Sequence, residues 1–426
     1  MSCAAPFATL DGLQRTLILF LIAILLAPRS LSGYATFTHL ELIDLVWNDN
    51  IRPLILQKYP AATDLELEEA HAYAYGGSLI QDLGYYPFGR KFFSNLAHYV
   101  RSGDFVRALL HHATNANELA FAIGALSHFV GDSYGHSEAV NPSTGIIFPN
   151  LAKKYGPIVS YEDEPTAHVR TEFGFDVAQI GRWRYAPHAY RDHIGFHVSR
   201  ALLERAFYET YGLTVLGILG PPLAAITSYR SSVHHIIPLF AKATIVNVRG
   251  HLPPDPPDTE MQQLLSTISK TDYAQHWSHY HHAPTLEDHL LGIVIRLVPK
   301  IGILKILAIK PPTTQTEALF VKSLNNSVEI FRGLLAQLSM NPAGDLVLVN
   351  RDLDTGNVVK PGAYELADQT YAQLLQKITA KPGLPVPLGL RENILAYYSD
   401  ANAPISTKKN RKAWERARAQ LDILKQ

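Results

Sequence analysis

The chain has almost no cysteine, since Cys3 is the only one among its 426 residues. Disulfide bonds within the chain are therefore excluded, and its stability must come from packing or from bound metal. An excess of charge of one sign is also missing, because 38 basic side chains balance 38 acidic ones. No overall field therefore attracts the protein to nucleic acid or to an anionic membrane, and contact with either would have to be local.

Internal repeats, low-complexity tracts and long alternating patterns typical of strands are absent as well. Apolar residues instead recur at intervals of three and four, as at Leu119, Ala122, Ile123 and Leu126, and 47% of the chain is hydrophobic. This pattern predicts an all-α, multi-helix protein with irregular connections. The one stretch with β-branched alternation, residues 344–362, is interpreted as a hairpin.

Residues 1–35 have the features of an export signal. Arg15 precedes an apolar run at 17–27, and small residues follow it up to a cleavage point predicted near 33–35. The run is short for a membrane span, so we expect an exported protein, either periplasmic or secreted. The alternative is an uncleaved anchor, because Asp11 offsets part of the positive charge before the run.

A proline-rich segment divides the rest of the chain. Residues 251–260, HLPPDPPDTE, disfavour helix and are interpreted as a linker. The predicted organisation is a catalytic domain at 36–250, followed by a helical extension at 251–426 whose role the sequence does not indicate.

The chain is rich in histidine, with nineteen residues of this type. His128, Asp132 and His136 follow one another at intervals of four, and His168 and Glu172 repeat that interval. On a helix this spacing places them on one face. Imidazole nitrogen and carboxylate oxygen are ligands that zinc accepts, and a carboxylate can bridge two metals. Either pair alone would more often be a chance arrangement.

Three further polar residues, His39, Asp82 and His98, lie in apolar surroundings upstream. Each alone would more often be an ordinary core or surface group. Together with the other five they make eight nitrogen and oxygen ligands on several helices, enough to hold more than one zinc ion.

The order of these eight residues resembles that of the zinc-dependent phospholipase C family. Related proteins are the S1/P1-type nucleases and the N-terminal domain of glycosylphosphatidylinositol-specific phospholipase D, whose motifs are the most similar. The resemblance covers residues 36–176 and is carried by these elements: Thr38-His39-x-Glu41, Ala72-Tyr73-x-x-Gly76 ending in Asp82, His98-Tyr99-x-Arg101, and Ser127-His128-x-x-x-Asp132-x-x-x-His136.

The resemblance implies two or three zinc ions. The first would be held by Asp82, His98, His128 and Asp132, the second by His136, His168 and Glu172, and the third by His39 and Asp132. In the bacterial enzymes the third ion also takes the mature N-terminus, usually a tryptophan. This chain departs there, because the predicted cleavage leaves Tyr34 or Thr36 first. His136 also follows Asp132 by four positions, where six are usual in those enzymes.

The implied function is a zinc-dependent phosphodiester hydrolase with phospholipase C-type cleavage of phospholipid headgroups by zinc-bound hydroxide. Asp82 is the expected catalytic residue, which would orient or deprotonate the attacking water. Three zinc ions would carry six positive charges against the carboxylates of Asp82, Asp132 and Glu172, and the surplus would attract an anionic diester.

Three other functions remain open at this point. They are an S1/P1-type nuclease, a phospholipase D-like activity and a non-catalytic, zinc-stabilised binding protein. Net neutrality disfavours nucleic acid as a partner.

Two stretches outside the eight residues have more than one interpretation. Residues 273–282, rich in histidine and tyrosine, form either another metal site, a substrate rim or a polar surface. The apolar stretch 290–309 is interpreted as a buried core helix, because Pro299 and Gly302 interrupt it; the alternative is transient contact with a membrane surface.

Overall fold

A computed structural model describes residues 35–185, 190, 194–277, 284–300, 302–341, 346–380 and 385–426. The regular structure of these residues is helical, and their only β-pairing is an isolated antiparallel bridge between Arg351 and Val358. The expected all-α architecture is confirmed. The hairpin predicted at 344–362 is reduced to this single bridge, so no strands form there among the described residues.

The helices are short to medium in length and follow one another closely. We number the α-helices in chain order: α1 Thr36–Val46, α2 Arg52–Lys58, α3 Asp64–Gly77, α4 Lys91–Tyr99, α5 Ser102–His112, α6 Ala116–Gly135, α7 Asn141–Ile147, α8 Pro149–Tyr155, α9 Pro165–Gly181, α10 Arg200–Tyr211, α11 Val215–Leu219, α12 Pro222–Ser231, α13 Ile237–Val248, α14 Thr259–Ile268, α15 Leu286–Leu297, α16 Thr314–Met340, α17 Glu365–Thr379, α18 Leu388–Tyr397 and α19 Arg411–Lys425. Short π-helical segments lie at Trp47–Ile51, His136–Val140, Ser232–Ile236 and Tyr273–Trp277, and 3-10 turns at Ile80–Tyr85, Arg249–His251, Gly302–Leu307 and Ser406–Lys409.

Helix α6 is the centre of the fold. Asn115 caps its start by accepting the Glu118 backbone N–H, and almost all of the helix is buried against α1, α3 and α16. Helices α3 and α6 approach very closely, because a Cβ added at Gly124 would lie 2.1 Å from the Ala74 carbonyl oxygen. Only glycine permits this contact, which brings the backbone after α3 next to the buried face of α6.

The residues after the predicted linker share the core of the residues before it. One hydrophobic cluster extends from Ala35 to Leu424, and α16 packs along α1 and α6. The linker is held down as well, since Arg182 donates to the Pro253 carbonyl oxygen at 2.9 Å and pairs with Asp255 at 3.1 Å. The boundary at residue 251 remains a prediction about organisation, while the packing is continuous across it.

The first part of the apolar stretch 290–309 lies in α15, which ends at Leu297 before Pro299, and Gly302–Leu307 form a separate 3-10 turn. Leu291 and Ile295 are buried against α13, as expected of a core helix, but Leu286 and Leu297 on the other side are 75% exposed. Among the described residues, no helix combines the length and apolarity needed to cross a membrane. The predicted export signal lies outside the described residues apart from Ala35, so it stays a prediction.

A buried ionic contact joins α16 to α9. Glu317 on α16 is fully buried and accepts hydrogen bonds from Gln179 Nε2 at 2.5 Å and Arg182 NH1 at 3.0 Å. We expect Glu317→Ala to lower the free energy of unfolding by about 2–3 kcal/mol, because the partners would lose a buried carboxylate. Urea denaturation of the full chain measures this change. Glu415→Ala is the control, since its pair with Arg411 is exposed and should contribute nothing measurable; equal losses in both variants would contradict the account.

Candidate metal centre

All eight residues predicted as ligands meet in the core. None is more than 3% exposed. They are carried as follows: His39 on α1, Asp82 on the 3-10 turn at Ile80–Tyr85, His98 on α4, His128 and Asp132 on α6, His136 at the start of the π-helical segment, and His168 and Glu172 on α9. The residues form two adjacent groups, joined along the helix from Asp132 to His136.

The first group is centred on the Asp132 carboxylate. Its Oδ2 lies 3.0 Å from His128 Nε2 and 3.4 Å from His98 Nε2, while its Oδ1 lies 3.2 Å from His39 Nε2. Asp82 Oδ1 lies 3.4 Å from His98 Nε2. The two oxygens of Asp132 therefore face different imidazoles, which is the arrangement that a bridging carboxylate requires.

The second group is centred on the Glu172 carboxylate. Its Oε1 lies 2.7 Å from His168 Nε2 and 3.1 Å from His136 Nε2. His136 begins a π-helical segment, so α6 changes its winding at this residue. Such segments often mark functional sites in helices. His136 follows Asp132 by four residues, where six are usual in the bacterial enzymes, and it lies at a local change of helix geometry.

Three of the five imidazoles are oriented by backbone carbonyls. The Nδ1 atoms of His98, His128 and His136 contact the carbonyl oxygens of Ser94, Ser78 and Leu353 at 2.8, 2.9 and 2.7 Å, respectively. A carbonyl oxygen only accepts hydrogen bonds, so each Nδ1 carries a proton. In a neutral imidazole this assigns the lone pair to Nε2, which points into the group, as in metal-binding histidines.

The carboxylates of the first group have too few hydrogen-bond donors. Both oxygens of Asp132 and Oδ1 of Asp82 are buried, and none of them accepts a hydrogen bond from the described residues. Unpaired buried carboxylate oxygens are costly. Ligand atoms around a tetrahedral zinc ion lie roughly 3.3–3.5 Å apart, given bonds of about 2.1 Å. The separations of 3.0–3.4 Å around Asp132 suit that ion.

The pKa values of two histidines show that the pocket favours positive charge. Burial lowers the pKa of His98, but Asp132 and Asp82 outweigh it and raise that pKa well above its usual value. For His136, burial is likewise outweighed by Asp132 and Glu172, which raise the pKa to about 10. Surroundings that stabilise imidazolium also favour a divalent cation.

The pKa values of Asp132 and His39 shift downward. Burial raises the pKa of Asp132, but His128 and His136 outweigh it and hold the pKa well below its usual range. Burial lowers the pKa of His39, and His128 lowers it further. Asp132 is therefore ionised and His39 neutral, which are the forms that bind metal.

The position of His39 depends on a residue that the sequence interpretation missed. Asp176 on α9 accepts the backbone N–H groups of Phe37 at 2.8 Å and Thr38 at 3.0 Å, and also the Thr38 hydroxyl at 2.7 Å. It thus caps the first turn of α1 from another helix. The available signal was its interval of four after Glu172, which continues the ligand face of α9.

The third zinc site is only partly formed by the described residues. His39, His128 and Asp132 lie close enough to hold a cation, but His128 also belongs to the group with Asp82 and His98. Since Ser78 occupies its Nδ1, His128 offers one nitrogen to both groups. The mature N-terminus expected to complete the site lies outside the described residues.

The stretch 273–282 is described only as far as Trp277. His276 has a side chain 64% exposed and lies 3.9 Å from Asp272. The described part of this stretch contains no cluster of metal-binding residues. Tyr273 is buried in the core while Gln275 and His276 are exposed, and residues 278–282 lie outside the described residues.

Comparison with known proteins agrees with this geometry. Residues 38–216 match the family model described as zinc dependent phospholipase C. This part of the chain is therefore similar to the zinc-dependent phospholipase C family. No curated protein and no solved structure gives a match. The match supports, in general terms, a zinc-dependent hydrolase of phospholipids, and all eight predicted ligands lie within the matched residues.

A buried histidine outside the centre allows a matched test of the ligands. His71 Nε2 lies 2.9 Å from Asp44 Oδ1 and its ring stacks on Trp47, but it belongs to neither group. We expect His168→Asn to lower the bound zinc by about one ion per chain, because the second group loses one of its three ligands. His71→Asn should leave the zinc content unchanged. Elemental analysis after gel filtration measures both, and equal zinc in the two variants would remove His168 from the centre.

Proposed function

We propose that the protein is a zinc-dependent phosphodiesterase that cleaves phospholipids in the manner of a phospholipase C, releasing the phosphorylated headgroup. The observation that carries this proposal is the meeting of two buried ligand groups around Asp132 and Glu172, within the residues that match the family. Export to the periplasm or the exterior belongs to the same proposal.

In this proposal the described residues would hold two zinc ions. Asp82, His98, His128 and Asp132 would hold the first, and His136, His168 and Glu172 the second. Asp132 also presents its other oxygen to His39, so a third ion would depend on the N-terminal residues. Zinc in these groups would present positive charge to the phosphoryl oxygens, which would favour an anionic diester over a neutral substrate.

Asp82 remains the proposed catalytic carboxylate. Zinc would lower the pKa of a coordinated water to about 7 and neutralise charge on phosphoryl oxygens. Asp82 Oδ1 faces this group without a hydrogen-bond donor from the described residues, so it has the capacity to orient the attacking water and hold its proton. That oxygen lies 3.4 Å from His98 Nε2, on the side of the first group.

An apolar surface close in sequence to Asp82 favours a lipid substrate over nucleic acid. Pro87 and Phe88 follow the turn that carries Asp82, and they line a cavity of about 630 Å³ with Leu223 and Ile236. Phe88 and Leu223 are each 66% exposed. Exposed apolar side chains suit acyl chains or a membrane surface. A nuclease would need basic side chains to bind phosphates, and the residues that line this cavity include none, so nuclease activity is the second candidate.

The products of hydrolysis test the proposal. The zinc-loaded full chain should convert phosphatidylcholine vesicles to diacylglycerol and phosphocholine, and chelation should abolish this turnover. Phosphatidic acid and choline would instead indicate phospholipase D-like cleavage. Cleavage of single-stranded nucleic acid alone would indicate the nuclease. Zinc binding without turnover of any diester would leave a zinc-stabilised binding protein.

The role of Asp82 needs a variant of its own. We expect Asp82→Asn to lower kcat by about 100-fold or more, because the amide cannot take a proton from water. Asp64→Asn is the control, since its side chain is 88% exposed on α3. Steady-state assays with parallel zinc analysis separate catalysis from metal loss. Full activity of Asp82→Asn would rule out the proposed role.

A further inference from the structure

A loop from the C-terminal half of the chain is part of the metal centre. We call residues Asn350–Val359 the Asp354 loop; they lie outside the residues that match the family. The loop is closed by hydrogen bonds from Asp352 N to Asn357 O at 2.9 Å, Gly356 N to Asp352 O at 2.9 Å and Val359 N to Asn350 O at 3.1 Å. It is therefore a defined turn with its own internal bonds.

The tip of the Asp354 loop is bonded to the elements that carry the ligands. Leu353 N–H donates to the His98 carbonyl oxygen at 3.1 Å, and the Leu353 carbonyl oxygen accepts from His136 Nδ1 at 2.7 Å. The Asp354 carbonyl oxygen accepts from Asn141 Nδ2 at 2.8 Å. The tip thus connects α4, the π-helical segment and α7.

Gly356 keeps the loop against α6. Its φ of +71° is in the left-handed region, and a Cβ there would lie 2.1 Å from the Ser133 carbonyl oxygen. Ser133 directly follows Asp132. Only glycine combines this backbone conformation with this approach, so the loop rests on the backbone that carries a bridging ligand.

The Asp354 side chain is a buried carboxylate whose hydrogen-bond donors are neutral. It has no exposed surface, and its Oδ2 accepts the hydroxyl groups of Tyr99 at 2.8 Å and Tyr364 at 2.5 Å. Its Oδ1 is buried and accepts no hydrogen bond from the described residues. Phenol groups fix the orientation of a carboxylate but supply no positive charge, so a cation in the group of His136, which is bonded to the same loop, would help to balance it.

We propose that Asp354 is a positioning residue of the metal centre, which stabilises zinc in the group of His136, His168 and Glu172 from the C-terminal half of the chain. The inference rests on the proposed zinc centre. It adds the negative charge of Asp354 and the Leu353 carbonyl that holds His136, both outside the residues that match the family. Leu353 fixes the ring of His136, and the Asp354 carboxylate favours a cation next to it. Partners of this kind typically change metal affinity by 10–100-fold.

Asp354→Asn in the full chain separates this role from a structural one. The amide has the same shape and keeps an oxygen for the two tyrosines, but it removes the charge. We expect zinc affinity, measured by competition with a chromogenic chelator, to fall roughly 10-fold. The melting temperature of the metal-free protein should stay the same or rise, because an unbalanced buried charge is gone. Unchanged zinc affinity, with equal losses of stability in both forms, would overturn the proposal.

Asp368→Asn is the matched control. Asp368 is also a buried carboxylate, held by the Tyr397 hydroxyl and by the backbone N–H groups of Gly362 and Ser406. Its replacement should leave zinc affinity unchanged, and a loss equal to that of Asp354→Asn would overturn the proposal.

A second variant covers the case in which Asp354→Asn does not fold. Tyr364→Phe removes one donor from Asp354 and leaves the loop intact, so zinc affinity should fall in the same direction, and an unchanged affinity would count against the role. Failure of the wild-type chain itself to bind zinc would be a failure of the proposed function, which this comparison shows separately.

Discussion

The buried Asp132 carboxylate needs positive charge nearby, and the rest of the structure depends on that need. It is fully buried in the last turn of α6, both of its oxygens lack hydrogen-bond donors among the described residues, and three imidazole nitrogens lie within 3.4 Å of them. An ionised carboxylate in such a place is tolerated only next to positive charge. Zinc held by the surrounding histidines would supply that charge, and His98 and His128 turn Nε2 towards the pocket because their Nδ1 atoms bond to backbone carbonyls.

The scaffold contributes position through its backbone more than through its side chains. Gly124 lets α3 approach α6, so the Ser78 carbonyl reaches His128; Asp176 caps α1 and thereby sets the direction of His39. The Leu353 carbonyl oxygen, from the C-terminal half of the chain, fixes the ring of His136. Because the eight ligands come from six helical elements, the centre depends on the packing of the whole core, including the residues beyond the predicted linker.

The sequence predicted the ligands better than the residues that orient them. The interval of four between His128, Asp132 and His136 reflects local helix geometry, so it could be recognised without any tertiary information, and the structure brings all eight candidates together. Asp176 and Leu353 act through contacts more than a hundred residues away in sequence, and no local pattern reveals such contacts. Residues 344–362 were expected to pair as a hairpin, but the tip instead bonds to α4 and the π-helical segment, leaving one bridge.

The central claim is that two zinc ions bind in this core, one with Asp132 and the other with Glu172 among its ligands. Anomalous difference maps from crystals of the full chain, recorded on both sides of the zinc K edge, test it most directly. The account predicts one peak bounded by Asp82, His98, His128 and Asp132, and a second bounded by His136, His168 and Glu172. Crystals grown with zinc that show neither peak, with the histidines paired to the carboxylates alone, would contradict it.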